Sequence, residues 1–404
     1  MAVMADKYDL PPCNMCMIAT DPTYQAYNVT ISGIVLAIVG VFGIVGNAFV
    51  IFVYTRPSLS KQSTSVYLAA LAMSDLCMVC TAMFLFALEA WRHHGPPVLA
   101  LIYGGGAPFV FPLGAMFQTT SVYFCVAAAV DCFISVVLSS RAKRLLCTAK
   151  RAKITVFVLT VCCILYNIPH FFEVESIACY EPRFDIESIQ VCPTEIRQNQ
   201  LYYTVYYTYM YTIFMAVGPL LLLVAINVVV VIAVLRRPAD DNEDSDTISL
   251  ILVVFLFICC NSLSLLINFL ELLLYEQLAH TIVYLVDASN FLVVCNCTAN
   301  FFIYLAFGKT FRHTFIDAVK RWKSASVAVD AHDDTQSVGR ISPLPLLSTK
   351  TRDHAVGGGE PVVFLWDRLN NTTSRRDSDA LTCMFQTSSN DLIVLGNGCH
   401  HTAV

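Results

Sequence analysis

LYYTVYYTYMYTIFMAVGPLLLLVAINVVVVIAVL, residues 201–235, carries no charged side chain and runs straight into Arg236-Arg237. A helix that crosses a bilayer needs roughly 20 apolar residues. This stretch is therefore expected to cross, with its tyrosine-rich first turns projecting beyond the hydrocarbon. Six more apolar runs, at about 29–54, 65–88, 105–138, 153–172, 247–272 and 280–306, are long enough to do the same. The chain has 404 residues, 56% hydrophobic and 14% charged. Soluble domains carry about 25% charged residues, and a water-soluble fold of this size has too much surface for so few. The reading is an all-α membrane protein. It comprises an N-terminal tail (1–28), a seven-transmembrane helix bundle (29–306), a short amphipathic eighth helix on the inner leaflet (307–323) and a tail rich in Ser, Thr, Asp and Gly (324–404), expected to be disordered. Gly104-Gly105-Gly106, with Pro108 and Pro112 close behind, predicts an irregular top to the third span.

Lysine and arginine gather on one side of the spans: Arg141, Lys143, Arg144, Lys150, Arg151 and Lys153 in one loop, Arg236 and Arg237 in another, and Lys309, Arg312, Lys320 and Arg321 after the last. The other side has only Lys7, Arg92, Arg183 and Arg197. The basic side is expected in the cytoplasm, which makes the chain a multi-pass plasma-membrane protein with its N-terminus extracellular and its C-terminus cytoplasmic. Residues 1–16 lack a basic segment followed by an apolar core, so no cleaved signal peptide is expected.

Asp75 lies inside the second span, where an ionisable group is costly and points to function. Its expected company is Asn47, Ser121, Asn296, Cys297 and Asn300; Asn296 and Asn300, four apart, share a helical face. One carboxylate among neutral oxygens suits a sodium ion completed by water. The plainer reading is a polar knot that pins helices together. No other cofactor is expected. Most of the seventeen cysteines fall in apolar runs and read as small hydrophobes. Cys13 and Cys16 form a CxxC with no second pair beside it. Cys179 and Cys192 could pair with each other across a hairpin, or with Cys13 or Cys16; sequence does not choose, though an oxidising compartment calls for some bridge.

Gly46-Asn47, the Leu-Ala-x-x-Asp run ending at Asp75, Pro219, and Asn300 to Tyr304 are similar to the signatures of rhodopsin-like G-protein-coupled receptors. More specific strings resemble the invertebrate FMRFamide-receptor-related group: Gln118 to Tyr123, Arg141-Ala142-Lys143 with Cys147-Thr148, Tyr166-Asn167-Ile168-Pro169 with Phe172-Glu173, and Asn300-Phe301-Phe302-Ile303-Tyr304. They run in order from about residue 29 to 323. The resemblance implies an extracellular neuropeptide ligand ending in Arg-Phe-amide, a heterotrimeric G protein, and arrestin at the tail.

The chain departs from that class at its inner face. The usual acidic-Arg-aromatic triplet, whose arginine restrains the resting state and then meets the G protein, reads Asp131-Cys132-Phe133. Two readings compete: coupling that relies on the basic second inner loop around Arg141, and on Tyr304, or weak or absent coupling or high constitutive activity. The sixth span lacks the usual Trp and Pro, with Asn261, Ser262 and Ser264 in that region, and residues 95–110 lack the cysteine that normally ties the third span to the second outer loop.

For the ligand, Glu173, Glu175, Glu181, Asp185, Glu187 and Glu195 make the outer loop acidic, a field that steers cations. Taken singly, each reads as a solvated loop acid. Glu89, Glu271 and Asp287, nearer the membrane, are better candidates, with Gln118 at the pocket floor, Asn290 on the face of Asp287, and Tyr206. Trp91, Tyr103, Tyr202, Tyr203, Tyr207 and Tyr284 read first as an interfacial belt. An Arg-Phe-amide would seek a carboxylate and an aromatic pocket.

Asn28-Val29-Thr30 is a sequon that abuts the first span, which argues against glycan transfer; those at Asn370 and Asn371 fall on the cytoplasmic side. Thr402-Ala403-Val404 fits a PDZ groove. The rival readings are a non-signalling or scavenging peptide-binding protein, motivated by Cys132, and, more remotely, a transporter. An opsin would need a lysine in the seventh span, where residues 280–306 have none. No nucleophile–base arrangement argues for an enzyme, and nothing argues for nucleic-acid binding.

Overall fold

A computed structural model of the chain describes residues 10–13, 15–16, 21–236 and 243–321. It contains seven helices long and apolar enough to cross a membrane: α1 (Pro22–Tyr54), α2 (Ser63–Arg92), α3 (Pro97–Val137), α4 (Ala149–Phe172), α5 (Gln200–Leu235), α6 (Asp246–Ile267) and α7 (His280–Phe307). Between α4 and α5, β1 (Val174–Glu181) and β2 (Ile186–Pro193) form an antiparallel hairpin. Residues 309–321 form a further helix, α8. The expected tail, with Asn370, Asn371 and the terminal Thr-Ala-Val, lies outside the described residues.

The third span begins earlier and more regularly than the sequence suggests. Its helix runs unbroken from Pro97 through Gly104, Gly105, Gly106, Pro108 and Pro112. Without water to satisfy free amides and carbonyls, backbone in a bilayer stays helical, and neighbouring helices absorb a proline's missing bond. α6 and α7 lie in one helical stretch, Glu243–Phe307, of 65 residues. A straight helix that long would reach about 100 Å. Yet the Asp246 carboxylate is 3.3 Å from the Thr310 amide nitrogen, so the stretch folds back between its two spans.

One core cluster joins Val50, Leu68, Phe124, Leu223, Val254 and Tyr304. A second, towards the hairpin, joins Leu36, Val79, Tyr103, Phe111, Val191 and Val294. The outward faces carry exposed Phe42, Phe157, Leu165, Leu221 and Phe255. Apolar surface on that scale is stable only against lipid. α8 packs back on α1: the Phe311 ring lies 5.5 Å from Tyr54, and Phe315 lies 5.3 Å from Phe49.

The hairpin is seated on α3 by close approach. A Cβ at Gly104 would fall 2.4 Å from the Ile189 side chain, so glycine is what lets β2 lie there, and the Ser176 hydroxyl donates to the Gly104 carbonyl. This contact stands where the third span lacks its cysteine. The N-terminal strap adds to the β1 edge: Pro12 bridges Tyr180 in parallel, Tyr180 N–H donates to Pro11 O at 2.8 Å, and Cys13 N–H donates to Tyr180 O at 3.1 Å. Two disulfides fix it, Cys13–Cys179 and Cys16–Cys192. Cys179 and Cys192 therefore do not pair with each other. The register sets Cys179 opposite Ser188 and Cys192 opposite Glu175. Four residues of strand, about 13 Å, separate the two positions, farther than a disulfide reaches.

Candidate ligand-binding and activation site

Midway through the bundle, Asp75 is completely buried. It accepts hydrogen bonds from Ser121 Oγ at 2.5 Å and Asn300 Nδ2 at 2.7 Å. Asn47 turns its amide away, donating to the carbonyls of Gly43 and Cys297, both at 2.9 Å. The side-chain oxygens of Asn47, Asn296 and Asn300 are buried without a hydrogen-bond partner. Three orphan acceptors, one of them on the asparagine bonded to Asp75, are a donor-poor set, the chemistry that a hard cation or water relieves. Among the described residues no group of three or more His, Cys, Asp or Glu side chains could hold a metal. One charge with neutral oxygens matches a monovalent ion instead.

At the hairpin end the main feature is Glu173, which loop composition suggested to be solvated but which is fully buried. It follows the last turn of α4 and accepts from His170 Nδ1 at 3.0 Å, Arg197 Nη1 at 2.7 Å, and the Tyr202 and Tyr207 hydroxyls, each at 2.5 Å. Burial alone would raise its pKa. The His170 hydrogen bond and charge, the Arg197 charge and the Tyr202 hydroxyl outweigh burial and bring it down to about 2. The tyrosines thus do more than form a belt. Tyr206 is buried between Tyr202 and Tyr166, with ring centroids 5.4 and 5.5 Å away, and its hydroxyl donates to the Tyr166 carbonyl. Arg197 lies 5.0 Å over the Tyr207 ring. Glu173 and Arg197 were visible as opposite charges flanking two consecutive spans, but nothing in composition marked them as partners.

The other candidate acids separate. Asp287 is fully buried and accepts from Asn28 Nδ2 at 3.1 Å. That hydrogen bond also occupies the amide nitrogen a glycan would need. Glu89 is loosely held, 3.5 Å from Arg92 and 3.4 Å from His93, while Arg92 lies 4.1 Å over the Tyr103 ring. Gln118 and Asn290 are half-buried. The Glu271 side chain lies outside the described residues.

At the opposite end, Asp131 accepts from Ser63 Oγ at 2.9 Å and Thr64 Oγ1 at 2.8 Å, in the first turn of α2. Sequence reasoning missed both hydroxyls. Cys132 is buried in the first core cluster. Arg141 is exposed on the short helix Ser140–Leu146. Tyr304 is buried against Tyr54 and Phe311, its hydroxyl without a hydrogen bond.

Residues 46–304 match the family described as 7 transmembrane receptor (rhodopsin family). A protein of Caenorhabditis elegans named as the probable G-protein coupled receptor frpr-1 is 39% identical over 76% of this chain and 85% of its own length. The FMRFamide receptor of Drosophila melanogaster is 30% identical over 71% of this chain and 53% of its own length. The FMRFamide peptide receptor frpr-18 of Caenorhabditis elegans is 27% identical over 73% and 70%. With seven spans, a buried Asp75–Asn300 pair and this breadth of similarity, the chain belongs to the rhodopsin family of seven-transmembrane receptors.

Proposed function

We propose that this receptor is activated by an extracellular neuropeptide ending in Arg-Phe-amide and signals through a heterotrimeric G protein. The observation that carries the ligand reading is the similarity to receptors named for FMRFamide, combined with an acid-and-tyrosine rim at the hairpin end. Of the two helix-end acids whose side chains are described, Glu89 is held at longer distances than Asp287 and is our choice for the peptide guanidinium. Asp287, sealed by Asn28, instead joins α1 to α7. The lysine and arginine bias supports a cytoplasmic location for the Asp131 end. There Arg141, its basic neighbours and Tyr304 would receive the G protein, and the tail would receive arrestin or a PDZ domain.

Binding to the full-length chain tests the ligand. An amidated Arg-Phe peptide is expected to displace label where its free-acid and Arg→Ala analogues do so far more weakly. Glu89→Gln is expected to lower affinity about tenfold or more, since a hydrogen bond to a charged group is worth roughly 1.5–3 kcal/mol. Equal affinity of all three peptides removes the Arg-Phe-amide assignment.

Asp75, Ser121, Asn296 and Asn300 would hold a sodium ion in the resting state. Agonist affinity is then expected to fall as sodium replaces a larger cation, and to lose that dependence in Asp75→Asn. Sodium sensitivity surviving in that variant assigns the cluster to helix pinning alone. The specific support for a non-signalling binder is Cys132, whose thiol supplies no charge at the inner face.

A further inference from the structure

Gly308 stands between α7 and α8. Its N–H still closes α7, on the Tyr304 carbonyl at 2.9 Å, and its own carbonyl takes the first hydrogen bond of α8, from Arg312 at 3.0 Å. Gly308 thus holds the N-cap position, where Ser, Thr, Asp or Asn would offer a side-chain acceptor to the free amides of the first turn. Glycine offers none. A larger residue does not fit without movement, since a Cβ there would fall 2.8 Å from the Tyr304 carbonyl oxygen. The acceptor comes from another helix: Oδ1 of Asp246, the first residue of α6, takes the Thr310 N–H at 3.3 Å. Thr310 is the second residue of α8, where a cap would bond, and the helix dipole favours a carboxylate there.

The inner end of α3 does not compete for this acid. Its third-span triplet presents Cys132 in place of a cation, and Asp131 is taken by Ser63 and Thr64. Thr310 N–H is thus a contact that holds the foot of α6 to the α7–α8 junction.

We propose that the Asp246 cap of α8 is the inner-face latch of this receptor: it holds α6 closed at rest and breaks when the inner face opens. Its effect on signalling rests on the receptor reading above; its effect on the position of α6 does not.

The test uses two variants of the full-length chain that remove the same bond from opposite sides. Asp246→Ala removes the acceptor. Thr310→Pro removes the donor N–H at a first-turn position that tolerates proline. Each is expected to raise peptide-independent G-protein activation about fivefold, the factor that ~1 kcal/mol of capping corresponds to. The double variant is expected to go no further, because the two changes share one interaction. In purified receptor without G protein, the distance between probes on Ile248 and His313 lengthens in both single variants. An unchanged probe distance in the variants that reach the surface overturns the latch, and so does an additive double variant. A lengthened distance with a silent G protein leaves the latch standing and counts against coupling.

Discussion

Glu173→Ala is expected to remove most of the receptor from the cell surface. Glu173 and Arg197 are buried together, with Glu173 fully covered and Arg197 2% exposed. Deleting one member of such a pair strands the other charge in a low-dielectric site and costs about 3–5 kcal/mol, a large part of the margin that keeps a protein folded. The two tyrosine hydroxyls and His170 lose their acceptor as well. Surface labelling and melting of the detergent-purified protein measure the effect. Arg197→Ala is expected to match it, and a double replacement by apolar residues of similar volume to do better than either single variant. Wild-type expression of Glu173→Ala with an unchanged melting point contradicts the buried pair. The pH dependence has a defined sign. Glu173 is depressed from 4.5 to about 2, so its contribution is present above the ordinary carboxylate range and is lost as pH falls from there through about 2. Between pH 5 and 8 Glu173 therefore stays ionised and its ion pair with Arg197 is expected to persist.

The second large effect concerns the strap. With Cys16–Cys192 in place, Cys13–Cys179 closes only a small ring, through a few strap residues and part of the hairpin. For a ring of roughly 15 residues the loss is about 3 kcal/mol. Losing both bonds opens a loop whose ends are 166 residues apart, for which the same relation gives about 5 kcal/mol more. That figure is an upper bound, because membrane-inserted spans already restrict the unfolded chain. Cys13→Ser and Cys179→Ser should therefore behave alike, as should Cys16→Ser and Cys192→Ser, and the Cys13/Cys16 double variant should fall well below any single. Non-reduced peptide mapping reads the pairing directly. A Cys179–Cys192 peptide, with normal expression of the Cys13/Cys16 double variant, contradicts it.

The seven spans were legible because the bilayer imposes one requirement, about 20 apolar residues per crossing, and runs such as 201–235 meet it without competition. The Asp75 neighbourhood was legible for a related reason: polar residues inside spans have few alternatives to one another, and Ser121 and Asn300 do bond the carboxylate. The hairpin end was harder. Glu173 sits one residue past a span, and composition cannot separate a solvated loop acid from one enclosed by Arg197, Tyr202 and Tyr207, which arrive from more than twenty residues away. The strap pairing depended on strand register, which puts Cys179 and Cys192 on one face but too far apart to join. At the inner end, the missing arginine was plain at Cys132. What takes over Asp131 was not, because Ser63 and Thr64 fall just before the apolar run at 65–88 and carry no charge to mark them.

The most direct measurement is G-protein activation in cells expressing the unmodified chain, against a panel of Arg-Phe-amide peptides, with Cys132→Arg alongside. The account predicts a peptide-dependent response from the unmodified chain, so that coupling proceeds through the basic second inner loop without an arginine at position 132. A response from Cys132→Arg alone, at equal surface expression, contradicts that claim and leaves a receptor fold that binds peptide without passing the signal on.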